Sequence, residues 1–233
     1  MPASFRREHV SALTCERMAM RAAWMREDHN KHTYTPTAAE VAAARKYKMT
    51  PELEARIDAA LRMYEGTHKF HNFTSGKKAS EASASRYIIS FRTGAKLEYD
   101  GVEFLELLVE GQSFMIHQIR KMIGLVVFCI RYGLDMEDKF KMACKADKIM
   151  VPLVPSAGLL LHKVLYQQFA KRFPHVQSLE FADLEDKMHA FKRSKVHPAV
   201  VAREMQVLPQ SATLSARVFV CARSWWCALS ASA

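Results

Sequence analysis

Between residues 102 and 130 the apolar positions change period. Leu105, Leu107 and Val109 alternate with Glu106 and Glu110, the two-residue period of a strand with one buried face. Gly111 interrupts the run, and from Phe114 to about Ile130 apolar residues recur at helical spacing. Ile116, Arg120, Gly124 and Val127 then share one helix face, which sets an arginine among apolar and small neighbours. A guanidinium keeps its proton and is rarely buried unless paired. Such a face requires an anion opposite Arg120, or else the side chain snorkels outward or closes a structural ion pair.

Upstream, Thr50 as N-cap, Pro51 in the first turn and Glu52 near the positive end of the dipole predict a helix start. Leu53, Ile57, Ala60, Leu61 and Tyr64 form its apolar stripe, which ends at Gly66. Residues 41–45 read as a short alanine-rich helix after a turn at 34–37, and residues 1–45 otherwise carry little signal. Residues 86–92 (R-Y-I-I-S-F-R) predict a strand, 93–101 a hairpin-like connection, and 102–109 the neighbouring strand. Gly133 is expected to stop the central helix, and Asp135 with Asp138 to open a short one. Residues 151–166 begin as a proline-broken loop and become a strand at Leu159. Residues 178–193 look helical with alternating charge, and 205–233 read as an unassigned tail. The pattern predicts an α+β fold, an antiparallel or mixed sheet flanked by helices. With helices on one face, the other face would present a groove.

Composition narrows the partner. The 233 residues carry 34 lysines and arginines against 24 acids, a net charge of +10 and a pI near 9.4. That excess favours a polyanionic partner. The apolar run at 122–130 is broken by Gly124 and stops at Arg131, short of a membrane span. Five cysteines without a C-x-x-C pair predict a reduced intracellular protein with no structural zinc. Arg6, Arg7, Arg17, Arg21 and Arg26 give the start a leader-like basicity, which Glu8, Glu16, Glu27 and Asp28 offset. Gly76-Lys77-Lys78 and the serine-rich residues after it predict a mobile basic loop. Lys77, Lys78, Arg86 and Arg92 would then flank the groove and take phosphates. His68 and His71, taken alone, read as surface or capping histidines.

Several separated stretches resemble one family. Residues 64–75 (Y-E-G-T-H-K-F-H-N-F-T-S) are similar to a Y-x-G-T-H-x-F-H-N-F-T-S segment. Gly111-Gln112-Ser113-Phe114 with His117-Gln118-Ile119-Arg120-Lys121-Met122-Ile123-Gly124 is similar to G-x-S-F-x-x-H-Q-I-R-x-M-x-G. Pro155, then Gly158-Leu159-Leu160-Leu161 and Val164, resemble a proline-then-G-L-x-L strand. Together they resemble the TruA-type tRNA pseudouridine synthases, the eukaryotic branch most closely, over roughly residues 46–204.

The resemblance implies the C-terminal half of a catalytic domain that isomerises uridine to pseudouridine in tRNA, possibly in other RNAs, without metal or other cofactor. It implies that Arg120 pairs with a catalytic aspartate, that Leu159 beside Gly158 forms the pocket wall, and that the compartment is the nucleus or a mitochondrion. The family's R-T-D-x-G-V nucleophile segment does not occur in this sequence. The chain is therefore expected to be a fragment, inactive alone, in which Arg120→Met is tolerated. The alternative is a non-catalytic RNA-binding module derived from the family.

Overall fold

Helix α1, Pro51–Arg62, begins where the cap signal places it. The Thr50 hydroxyl accepts the Leu53 N–H at 3.3 Å, and Glu52 and Glu54 occupy the first turn. Ile57, Ala60 and Leu61 are its buried stripe. Tyr64, just beyond, is fully buried and donates its hydroxyl to the Met122 carbonyl at 2.9 Å. That bond ties α1 to α2, Gln118–Arg131.

Helix α2 starts four residues later than the apolar period from Phe114 suggests, for local reasons. Gln118 Oε1 accepts the Met115 N–H at 2.9 Å, and the Thr74 hydroxyl donates to the Ile116 carbonyl at 2.9 Å. His117 is left-handed, with φ 64°, a backbone that does not continue into a helical turn. Ile116 thus stands outside the helix, 65 % exposed, rather than on the face of Arg120. The C-terminus stops as expected. Gly133 has φ 59°, its N–H donates to Ile130 at 3.3 Å, and the Leu134 N–H donates to Cys129 at 2.8 Å. Asp135 accepts the Asp138 N–H at 2.7 Å and caps α3, Met136–Cys144.

The computed structural model describes residues 42, 45–154, 156, 158–166, 171–175, 184–207 and 218–224, with backbone only from 203 onward. All belong to one unit of the chain, residues 35–233. The predicted turn at 34–37, most of the helix at 41–45, the first part of the helix at 178–193 and most of the tail lie outside the described residues.

Five strands form one sheet in the order β1-β2-β3-β5-β4. They are β1 Gly66–Lys69, β2 Ser85–Tyr99, β3 Val102–Gly111, β4 Leu159–Val164 and β5 Val218–Ser224. The first three are antiparallel, and β5 runs parallel to both β3 and β4, so the sheet is mixed. The tail therefore contributes backbone to the sheet. Strand β2 runs on to Tyr99, where a connection over 93–101 was expected. Its register shifts between Thr93 and Lys96, and Gly94 leaves room for Glu106, whose Oε2 would lie 2.8 Å from an added Cβ. That irregularity hides the alternation. The turn itself is Asp100-Gly101, with φ 51° and 77°, the pair of positive angles that Asp-Gly hairpins favour.

Leu105, Leu107 and Val109 join Ile88, Phe91, Tyr64, Phe70 and Phe73 in the main core beneath α1, α2 and α3. The expectation that helices cover only one face is corrected. On the other face Val102, Phe104 and Val201 make a second, small core with Leu97, Tyr99 and Val200. Helix α4 (Glu185–Phe191), a π-helical turn (Lys192–Val196) and helix α5 (His197–Val207) bring this cover into place. Apolar Val102 and Phe104 stand where an open face would be polar. That part of the face is covered rather than open, as a groove would require.

Candidate nucleic-acid site

Arg120 lies in the first turn of α2 and is half-buried. Its Nε donates to the Val154 carbonyl at 2.7 Å, and its own carbonyl accepts the Val154 N–H at 3.5 Å. Nη1 is 3.5 Å from His117 Nδ1. This close approach needs a bare position at 124. A Cβ on Gly124 would fall 2.2 Å from the Pro152 carbonyl oxygen and 2.8 Å from its carbon. Val151 and Val154 are buried against the helix, and the segment runs on to Gly158, buried, and Leu159, packed on the main core. The Leu159 N–H donates to Ser156 at 3.1 Å. Arg120 and the Gly158-Leu159 strand start are thus held by the two ends of one short connection. The expected tolerance of Arg120→Met is revised, because the substitution would remove a charged donor to Val154, worth about 1.5–3 kcal/mol.

The 71–74 turn is more deeply built than its polarity suggests. His71, Asn72, Phe73 and Thr74 are all buried, so the surface reading of His71 is corrected. Asn72 Nδ2 donates to the carbonyls of Ala143 at 3.0 Å and Asp147 at 2.9 Å, while Oδ1 accepts the Ile149 N–H at 3.0 Å. One side chain therefore fixes the end of α3 and the loop after it. His68 is half-buried, edge-on to Phe70 and Phe140, with Nε2 2.8 Å from the Glu65 carbonyl. That carbonyl can only accept, so His68 carries its proton on Nε2. Lys121 Nζ donates to the Asn72 and Thr74 carbonyls at 3.2 Å each, and Lys148 Nζ to the His71 carbonyl at 3.2 Å. Sequence reasoning missed Asn72, Thr74, Lys121 and Lys148. The available signal was a polar N-x-T inside an aromatic run, which a buried turn explains better than a solvated loop.

The expected mobile basic loop is instead an ordered turn around Glu81. Its carboxylate accepts Lys77 Nζ at 2.8 Å, the Lys78 N–H at 2.9 Å and the Ser83 hydroxyl at 3.3 Å. The Lys77 bond, then the Lys78 N–H, hold that carboxyl below its usual range. Lys77 thus stands in an ion pair, and Lys78 is exposed. Arg86 sits opposite His68 in the register, on the helix-covered face, with Nη1 donating to Ser85 at 2.9 Å. Arg92 sits opposite Leu108, on the other face. The four basic residues do not gather on one face as the sequence suggested.

Among the described residues no helix is long and apolar enough to cross a membrane, and no three potential ligands cluster to hold a metal. What this geometry defines is a mixed-sheet domain in which an arginine of α2 is clamped to the segment that leads into β4, the last strand in the sheet order. Residues 60–167 match the family model described as tRNA pseudouridine synthase. Among its relatives are the human and mouse proteins named pseudouridylate synthase 1 homolog, 37% and 38% identical over 161 and 162 residues. Each alignment covers 68% of this chain and 38% of the relative. The tRNA pseudouridine synthase 1 of Yarrowia lipolytica is 33% identical over 162 residues, 68% of this chain and 31% of that protein. The chain thus spans between 31% and 38% of the length of these curated relatives.

Proposed function

We propose that this domain supplies the arginine side of an RNA pseudouridine synthase site acting on uridine in tRNA. The observation that supports the reading is the bond of Arg120 to Val154, which ties the guanidinium to the connection leading to Gly158 and Leu159 within the segment that matches the family. In this reading Arg120 orients and stabilises a carboxylate nucleophile, and Leu159 packs against the base. The target uridine must first leave its stack, at a cost of a few kcal/mol that phosphate contacts offset. Exposed Lys78 and Arg92, with Arg86 and Lys77 nearer the turn, are the basic groups first assigned to those contacts.

The sequence contains no R-T-D-x-G-V segment, so this chain by itself is expected to leave uridine unchanged. The test is therefore a graft. Residues 60–167 replace the matching segment of the human relative, and conversion of uridine in a tRNA transcript is measured. The folded graft should convert it, and Arg120→Met within the graft should abolish conversion. A folded but inactive graft would refute the proposal and favour an RNA-binding module that has lost the chemistry.

A further inference from the structure

Two lysines approach the 71–74 turn from different elements. Lys121 projects from α2 and bonds two carbonyls of the turn; Lys148, from the loop after α3, bonds a third. His71, Asn72 and Thr74 supply the acceptors, so both ammonium groups are held against one short turn. Among the described residues neither lysine pairs with a carboxylate, in contrast to Lys77 with Glu81. Carbonyls orient an ammonium without neutralising it. Three donors on each nitrogen leave one N–H on Lys121 and two on Lys148 beyond these bonds. Burial of the half-buried Lys121 depresses its pKa, and the nearby charge of exposed Lys148 adds to the shift.

We propose that Lys121 and Lys148 form a phosphate-binding pair that takes one backbone phosphate of the RNA. The assignment rests on the RNA reading above and adds a contact to it. Lys121 follows Arg120 on α2, so a phosphate held here would be fixed to the same helix as the guanidinium. The bound anion would remove the repulsion that the free protein carries at this point.

The test uses the full chain, an unmodified tRNA transcript and inorganic pyrophosphate. Between 50 and 200 mM salt, loss of one phosphate contact should make the fall in tRNA affinity about threefold shallower. Lys148→Met and Lys121→Met should each show that change, while Lys121→Arg, which keeps the charge, should retain the wild-type slope. Lys148 is exposed, so its variant keeps the fold even if the Lys121 variant does not. Pyrophosphate should raise the unfolding temperature of the wild type and not of the double variant. Unchanged slopes in folded variants would overturn the site and leave the RNA reading standing. Pyrophosphate protection without tRNA binding would make the ligand a free anion, overturning both the RNA source and the proposed function. Neither binding nor protection would overturn both as well.

Discussion

On the face of the sheet under α1, α2 and α3, large side chains are buried in continuous contact. Tyr64 meets Phe73 edge-on at 5.7 Å and Phe140 at 5.1 Å, and Phe70 and Phe91 complete the cluster. On the other face the buried set is Val102, Phe104 and Val201, joined by Lys192 and His197, which carry charge or can acquire it. The first face is closed by area and shape. The second is closed by a few apolar groups, a Tyr99–His197 bond at 2.6 Å and a long Lys192–Glu106 pair at 3.9 Å. Apolar burial contributes roughly 25 cal/mol per Å², so the larger core should set global stability. The smaller cover should open first, at a lower free energy.

The severest way to break this comparison is Gly124→Ala. On an exposed helix alanine would stabilise by about 1 kcal/mol relative to glycine. Here its Cβ would press on backbone atoms of Pro152, which cannot swing aside as the end of a flexible side chain can. A net loss of about 3 kcal/mol is expected, with the Arg120–Val154 clamp lost as well. Urea unfolding, with amide exchange at Val154, measures both. A neutral substitution would mean that the 151–154 segment does not lie on α2.

Next in size is Asn72→Ala. It orphans the Ile149 N–H and two carbonyls in a largely buried place, and should cost about 2–4 kcal/mol. The loss should appear first as faster exchange at the Ile149 amide. Equal destabilisation by Phe104→Ala, on the sparse face, would contradict the ranking of the two faces.

Much of the first face was legible because its devices are local. Thr50-Pro51, Asp135 with Asp138, and Gly133 each act within a turn, and each lies where the chain order puts it. The start of α2 was misread because its determinants are remote: Thr74 anchors Ile116 from another element, and His117 adopts a backbone that no periodicity reports. Gly124 was read as a small residue on Arg120's face, but the carbonyl it admits comes from Pro152, beyond any local window. Lys77 looked like a free phosphate ligand because Glu81 stands one helical turn on, in a serine-rich stretch that masks the pair. The second face was missed for the opposite reason. Its strand continues through a register shift, and its cover comes from residues almost a hundred positions away.

The smallest predicted effect concerns that second face and its dependence on pH. His197 is buried, and its burial, followed by the positive charges of Lys192 and Arg193, depress its pKa below 6.5, with Glu106 opposing. Burial raises the pKa of Tyr99, so its hydroxyl remains protonated 2.6 Å from Nδ1 of the neutral ring. Below 6.5 the unfolded chain binds a proton that folded His197 resists. Stability therefore falls as pH drops from 7 through the window down to the folded pKa. In the protonated ring Nδ1 can only donate, so the Tyr99 oxygen must then accept. His197→Gln should flatten this part of the acid slope, whereas Tyr99→Phe should cost about 1 kcal/mol and leave most of the slope. The exchange readout separates the faces: acid should speed α5 amides at 200–202 before those of α2 at 122–127. Simultaneous loosening of both helices, or an unchanged slope in His197→Gln, would show that the two faces unfold as one.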